Sequence, residues 1–165
     1  MHFFLAVACI LTLLTGLGVA QAKKDGSRFF LPGDLTMEQS HMVLAAAVAD
    51  AEKRNTLMNI AVVDAGGNLK AFIRMDGAFL ASIDIAIKKA RTARSLNMST
   101  MDLSKVSQPG QELYGIEVTD GGMAIFGGGE LLYNKDGVII GAVGVSGGSV
   151  AEDVAVAKAG AAALR

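Results

Sequence analysis

Five side chains in this sequence offer chemistry that a small ligand can use: His41, Arg74, Asp76, Lys89 and Thr92. His41 is the only histidine after residue 22. Helical spacing groups it with Met37, Leu44 and Val48, near the apolar face of a helix. One histidine cannot build a multi-histidine metal centre. Two roles remain for it, axial ligand to a haem iron or structural residue. Arg74-Met75-Asp76 closes a predicted strand. Its guanidinium either meets a carboxylate-bearing ligand or pairs with Asp76 and fixes the turn. Lys89 and Thr92 fall with Ile85 and Leu96 at the border between the buried and polar faces of a predicted helix. A cation and a hydroxyl beside apolar groups suit an amphipathic ligand, and boundary positions also carry such residues for solubility alone.

Other motifs read more plainly. Asp64-Ala-Gly-Gly67 stands at a strand end, where an aspartate most often starts a turn. Gly127-Gly-Gly129 lacks the Lys-Ser/Thr of a nucleotide-binding loop and opens no helix. It reads as a bend, or as a place where a flat ligand or a backbone comes close. The single cysteine, Cys9, lies near the start, which leaves no disulfide framework or thiol nucleophile in the rest of the chain. No paired carboxylates or cysteine ligands stand at hydrolytic or zinc spacings. The residues favour a small-molecule binding domain over a recognisable enzyme.

The elements that must position these groups follow from hydrophobic period and capping residues. Thr36, with Gln39 three residues on, forms a capping box for a helix to about Arg54. Met58 to Asp64 and Leu69 to Met75 form a hairpin across Ala65–Asn68. A second helix spans about Ala81 to Leu96, with Ile83, Ile87, Ala90 and Ala93 as its buried stripe. Residues 97–119 form a long, partly helical connection, and order returns at Met123 to Phe126. Glu130–Tyr133 and Val138–Ser146 make another hairpin. The latter strand is apolar or small on both faces, hence central in its sheet. Ser149 with Glu152 caps a last helix that runs to the C-terminus. Gly160 in its interior implies close approach to a sheet or another subunit, because an interior glycine costs about 1 kcal/mol relative to alanine.

Of the 165 residues, 52% are hydrophobic and the net charge is −1, enough apolar material for one domain with a sizeable core. This near-neutral balance argues against nucleic acid as a partner. Phe3 to Val19 is almost wholly apolar and is followed by Ala20-Gln21-Ala22, a small-x-small cleavage pattern. Residues 1–22 are therefore expected to be a cleavable signal peptide, with an uncleaved membrane anchor as the competing reading. Cleavage predicts a secreted protein, extracellular or periplasmic, without a membrane span. Residues 23–34 read as a linker, interrupted by Phe29-Phe30-Leu31, which is expected to pack on a surface or a neighbouring subunit. Asn97-Met98-Ser99 is a glycosylation sequon in a eukaryotic host.

Taken in order, Leu35-Thr-Met-Glu-Gln39, VVDAGG at 62–67, F-x-R-M-D-G at 72–77, Ser82-x-Asp-Ile-Ala86, Lys89-Ala-x-Thr-Ala93, Gly127–Gly129 and GAVGVSGG at 141–148 resemble one family. It is the GlcG/HbpS-like, or haem-degrading domain, family, related to the C-terminal domain of the PduO-type cobalamin adenosyltransferase. The resemblance covers about residues 35–165. It implies a single α/β (α+β) domain, with a profilin-like antiparallel sheet of about five strands flanked by helices. It further implies a homo-oligomer, often an octamer, that binds haem, with roles in haem breakdown, iron handling or redox sensing beside a sensor-protein partner. Arg74, Asp76, Lys89 and Thr92 stand in family motifs and are the expected pocket residues. His41 or Thr92 would approach the iron, and Lys89 or Arg74 would meet a propionate. A secreted haem-binding protein is thus the expectation. A haem-degrading enzyme, a corrinoid (cobalamin)-binding module and a purely structural oligomer are the alternatives.

Overall fold

The computed structural model describes residues 33–165. The expected signal peptide and the linker as far as residue 32, with Phe29-Phe30-Leu31, lie outside the described residues. Helix α1 (Met37–Lys53) starts at the predicted capping box, with the Thr36 side chain accepting from the Gln39 amide. Strands β1 (Asn59–Asp64) and β2 (Leu69–Arg74) follow, then α2 (Ala81–Leu96) and the short α3 (Thr100–Val106). A 3-10 turn at Ile116–Val118 completes a connection that is partly helical, as its polar clusters implied. Strands β3 (Gly129–Tyr133) and β4 (Ile139–Ser146) lead to α4 (Val150–Ala162), whose Ser149/Glu152 capping box also forms.

The sheet is antiparallel in the order β2-β1-β4-β3. Among the described residues it has four strands where the resemblance implied about five, and Met123 to Phe126 adopts no strand. Interior strand β4 is buried along nearly its whole length, in keeping with its two apolar faces. One face of the sheet packs Ile60, Val62, Leu132, Val143 and Val145 against Val43 and Ala47 of α1 and Val156 and Ala157 of α4. On the other face Ala61, Val63 and Ala142 meet Ala86, Ala90 and Ala93 of α2.

Two helix faces depart from the periodicity reading. Helix α1 buries Ser40, Val43, Ala47 and Ala51, while Met37 is 67% exposed. The cause is helix–helix contact. A Cβ on Gly160 would lie 3.2 Å from the Ala47 Cβ and 3.2 Å from the Val43 carbonyl oxygen, so α1 turns its small residues toward α4. Gly160 thus earns its place against α1, not against the sheet. Helix α2 buries alanines, with Ile83 and Ile87 only partly covered. A Cβ on Gly144 would fall 2.5 Å from the Ala90 nitrogen, so helix backbone rests directly on strand backbone. At that separation bulky side chains are pushed to the flanks.

Candidate functional site

A groove of about 780 Å³ opens between the C-terminal half of α1 and the end of edge strand β2. That size falls within the range of roughly 300–1,000 Å³ usual for small-molecule sites. Val48 and Glu52 line it from α1, Leu57 from the following loop, and Ile73, Arg74, Met75 and Asp76 from β2 and its turn. Leu57 and Ile73 are 49% and 37% exposed, so apolar surface is already presented to a ligand. Arg74 and Asp76 are exposed and form no ion pair with each other. The turn is closed by the backbone instead: the Ala78 amide donates to Met75 O at 3.0 Å, and Gly77 takes φ 84°. Arg74 therefore keeps its five N–H donors for a carboxylate or for water. An apolar wall with a guanidinium at its rim fits the chemistry of a flat tetrapyrrole bearing propionates.

His41 is exposed, not near the core. The expected apolar face, Met37–Leu44–Val48, is the rim of the buried face, and the core runs through Val43 and Ala47. Seven residues separate His41 from Val48, so the two share one stripe of the helix about 10 Å apart along its axis. His41 thus prolongs the line of Val48 and Glu52 beyond the groove.

Lys89 is placed quite differently from the boundary position expected of it. It is 0% exposed. Its Nζ donates to Asp153 Oδ2 at 2.6 Å and to Val145 O at 2.9 Å, and lies 4.5 Å from the centre of the Phe126 ring. Burial pushes its pKa down, opposed by the hydrogen bond and the charge of Asp153, and burial prevails. Asp153 Oδ1 in turn accepts from the Gly148 amide at 3.0 Å. One ammonium thereby ties α2, the end of β4 and the start of α4 together. It is fully engaged in the core and out of reach of a propionate in the α1–β2 groove.

Thr92 is also in the core, 3% exposed, where its Oγ1 accepts from the Ala124 amide at 3.0 Å and anchors the connection on α2. The glycine triplet belongs to the same packing. A Cβ on Gly128 would sit 2.7 Å from Val145 O and 2.8 Å from Lys89 Nζ, so the run marks close backbone approach. Asp64 is the turn residue its position implied: its Oδ1 accepts from the Gly66 and Asn68 amides, each at 2.9 Å. Of the five nominated residues, the structure gathers Arg74 and Asp76 in one groove, sets His41 on its extension, and builds Lys89 and Thr92 into the interior. Sequence reading missed Asp153 and Phe126, the partners of Lys89. It also missed the apolar lining of Leu57 and Ile73, whose exposure no local pattern signalled.

This arrangement, a four-stranded sheet with a groove of small-molecule size at one edge, suits a small-molecule binding domain. The family described as "Haem degrading protein HbpS-like" matches residues 35–162, and the chain belongs to that family. It is 37% identical over 147 residues to the corrinoid adenosyltransferase PduO of Salmonella typhimurium, a match covering 88% of this chain and 44% of that protein. The chain thus spans less than half the length of that curated relative. Protein GlcG of Escherichia coli K12 is 38% identical over 112 residues, 68% of this chain and 81% of GlcG. Among solved structures, the crystal structure of a PduOC–haem complex superposes with a TM-score of 0.76 at 39% identity, covering 80% of this chain and 96% of that one.

Proposed function

We propose that this protein binds haem in the groove between α1 and β2 and is exported to do so. The likeness to the PduOC–haem complex, 39% identical over nearly the whole of that chain, carries the reading. The groove supports it with the lining such a ligand needs. Leu57, Ile73 and Val48 would cover the porphyrin face and Arg74 would meet a propionate. His41, which lies beyond the groove on the same stripe of α1, would serve the iron of a haem that extends toward it. When bound, haem supplies a redox-active iron; the chain's part is to shield and orient it. Lys89 and Thr92 serve the core, tying α2 to β4, α4 and the connection. Exposed Phe79 and Leu80, 68% and 72% accessible, are apolar groups of the kind that self-assembly covers. They support the homo-oligomer and leave a sensor-protein contact to be tested by co-purification.

Two other readings have their own support. The family description speaks of haem degradation, and the likeness to a corrinoid adenosyltransferase suggests a corrinoid. Titration of the purified protein with hemin and then with cobalamin separates all three. Binding gives a saturable Soret shift without loss of the pigment, and Arg74→Gln weakens it. His41→Ala changes the ligand-field bands. Biliverdin or released iron after addition of reductant would favour degradation, and tighter uptake of cobalamin the corrinoid reading. An unaltered hemin spectrum refutes haem binding. For export, N-terminal sequencing of protein recovered outside the cytoplasm should begin at Lys23.

A further inference from the structure

The opposite edge of the sheet carries a second cleft, of about 540 Å³, between edge strand β3, α3 and the C-terminal end of α4. We propose that it is a separate binding site for a small organic anion with an apolar tail. Met98, Met101, Leu131 and Tyr133 give it apolar walls, and Lys105, Lys158 and Arg165 bring three cations. These cations are not equivalent. Lys105 is held by Asp102 at 2.7 Å, and Asp102 also accepts from Ser99 at 2.7 Å. Lys158 and Arg165 form no ion pair among the described residues, so both remain available to an anion.

Glu130 gives the cleft its selectivity. It is only partly exposed and its carboxyl makes no side-chain hydrogen bond among the described residues. Burial pushes its pKa up; Lys158 and Arg165 oppose that shift and Asp102 adds to it. The charged or titratable groups around it are Asp102 and Lys105 of α3, Tyr133 of β3, and Lys158 and Arg165 at the end of α4. A carboxylate ligand on Lys158 and Arg165 offsets the cations that Glu130 alone leaves uncompensated, and its tail covers the two methionines. Ionised Glu130 opposes a second negative charge nearby, which favours monoanions over dianions.

The test uses hexanoate as probe, with hexylammonium and inorganic phosphate as comparisons, on the full chain labelled at the methionine methyl groups. Hexanoate is expected to shift the Met98 and Met101 methyl signals saturably. Lys158→Gln/Arg165→Gln should abolish the shift and Arg74→Gln should leave it intact. Glu130→Gln should tighten binding about fivefold at pH 7, the effect of removing one nearby like charge across water. Equal shifts with hexylammonium, no saturable shift with hexanoate, or full binding in the Lys158/Arg165 double variant would each overturn the proposal. Inorganic phosphate, which has no tail, should leave the methyl signals in place; shifts as large as those from hexanoate would overturn the amphipathic part. The readout does not depend on hemin, so failure of the haem reading and failure of this one are distinguishable.

Discussion

Removing the ammonium of Lys89 should be among the most damaging single changes in this domain. Lys89→Met keeps most of the stem's volume but leaves Asp153, 3% exposed at its side chain, without its cation. Breaking a buried pair from one side costs about 3–5 kcal/mol, because the remaining charge has lost water and partner together. In a domain of this size that corresponds to a fall in melting temperature of roughly 10–20 °C. Removing both charges is a different experiment. Lys89→Met/Asp153→Leu leaves no stranded carboxylate, and an apolar replacement of a buried pair is often neutral. Its residual defects are the Gly148 amide, which loses the Asp153 oxygen at 3.0 Å, and Val145 O, which loses the Lys89 ammonium at 2.9 Å, each costing about 1 kcal/mol. Urea unfolding at one fixed protein concentration should therefore find the double variant more stable than Lys89→Met alone. If the two losses simply add, or if Lys89→Met costs under about 1 kcal/mol, the pair does not hold the fold in the way described.

Further expectations follow from other sites. Gly144→Ala should prevent folding to the native packing, read by lost near-ultraviolet circular dichroism, since its Cβ would lie 2.5 Å from the Ala90 nitrogen. Glu130→Gln should stabilise the protein at pH 7 and not at pH 4. The folded pKa of Glu130 is raised, so its contribution is fully present below the unfolded value and is lost as pH rises through the folded one. Thermal melts of wild type and variant across that window check the sign. Glu152 runs the other way: the Ser149 backbone and side-chain hydrogen bonds hold its pKa down. Its capping contribution is therefore present above the ordinary glutamate range and lost as pH falls through the folded value, and Glu152→Gln should flatten that part of the profile.

Much of the architecture was legible because short-range chemistry dictates it. Both capping boxes, the Asp64 turn and the doubly apolar β4 depend on residues within a few positions of one another, and all stand where expected. The face of α1, and the Ile83 and Ile87 part of the α2 stripe, were misjudged for a long-range reason. Gly160 and Gly144 set how closely backbones approach, and that distance decides whether alanine or a larger residue meets the core. Side-chain size alone pointed to Met37 and Ile83, where packing chose Ala47 and Ala86; Ala90 and Ala93 are buried as expected. The site divided in the same way. Arg74 and Asp76 reach one groove because they sit at one strand end. The environment of Lys89 depends on Asp153, 64 positions away, and no spacing rule links them.

Strand order has a consequence for ligands. With β1 and β4 inside, the two clefts occupy opposite margins of the sheet, three strand intervals or roughly 14 Å apart. Occupants of the two would not collide. A direct route between them runs through the helices, because Gly160, which lies between Lys158 and Arg165 of one cleft, packs against Ala47, next to Val48 of the other.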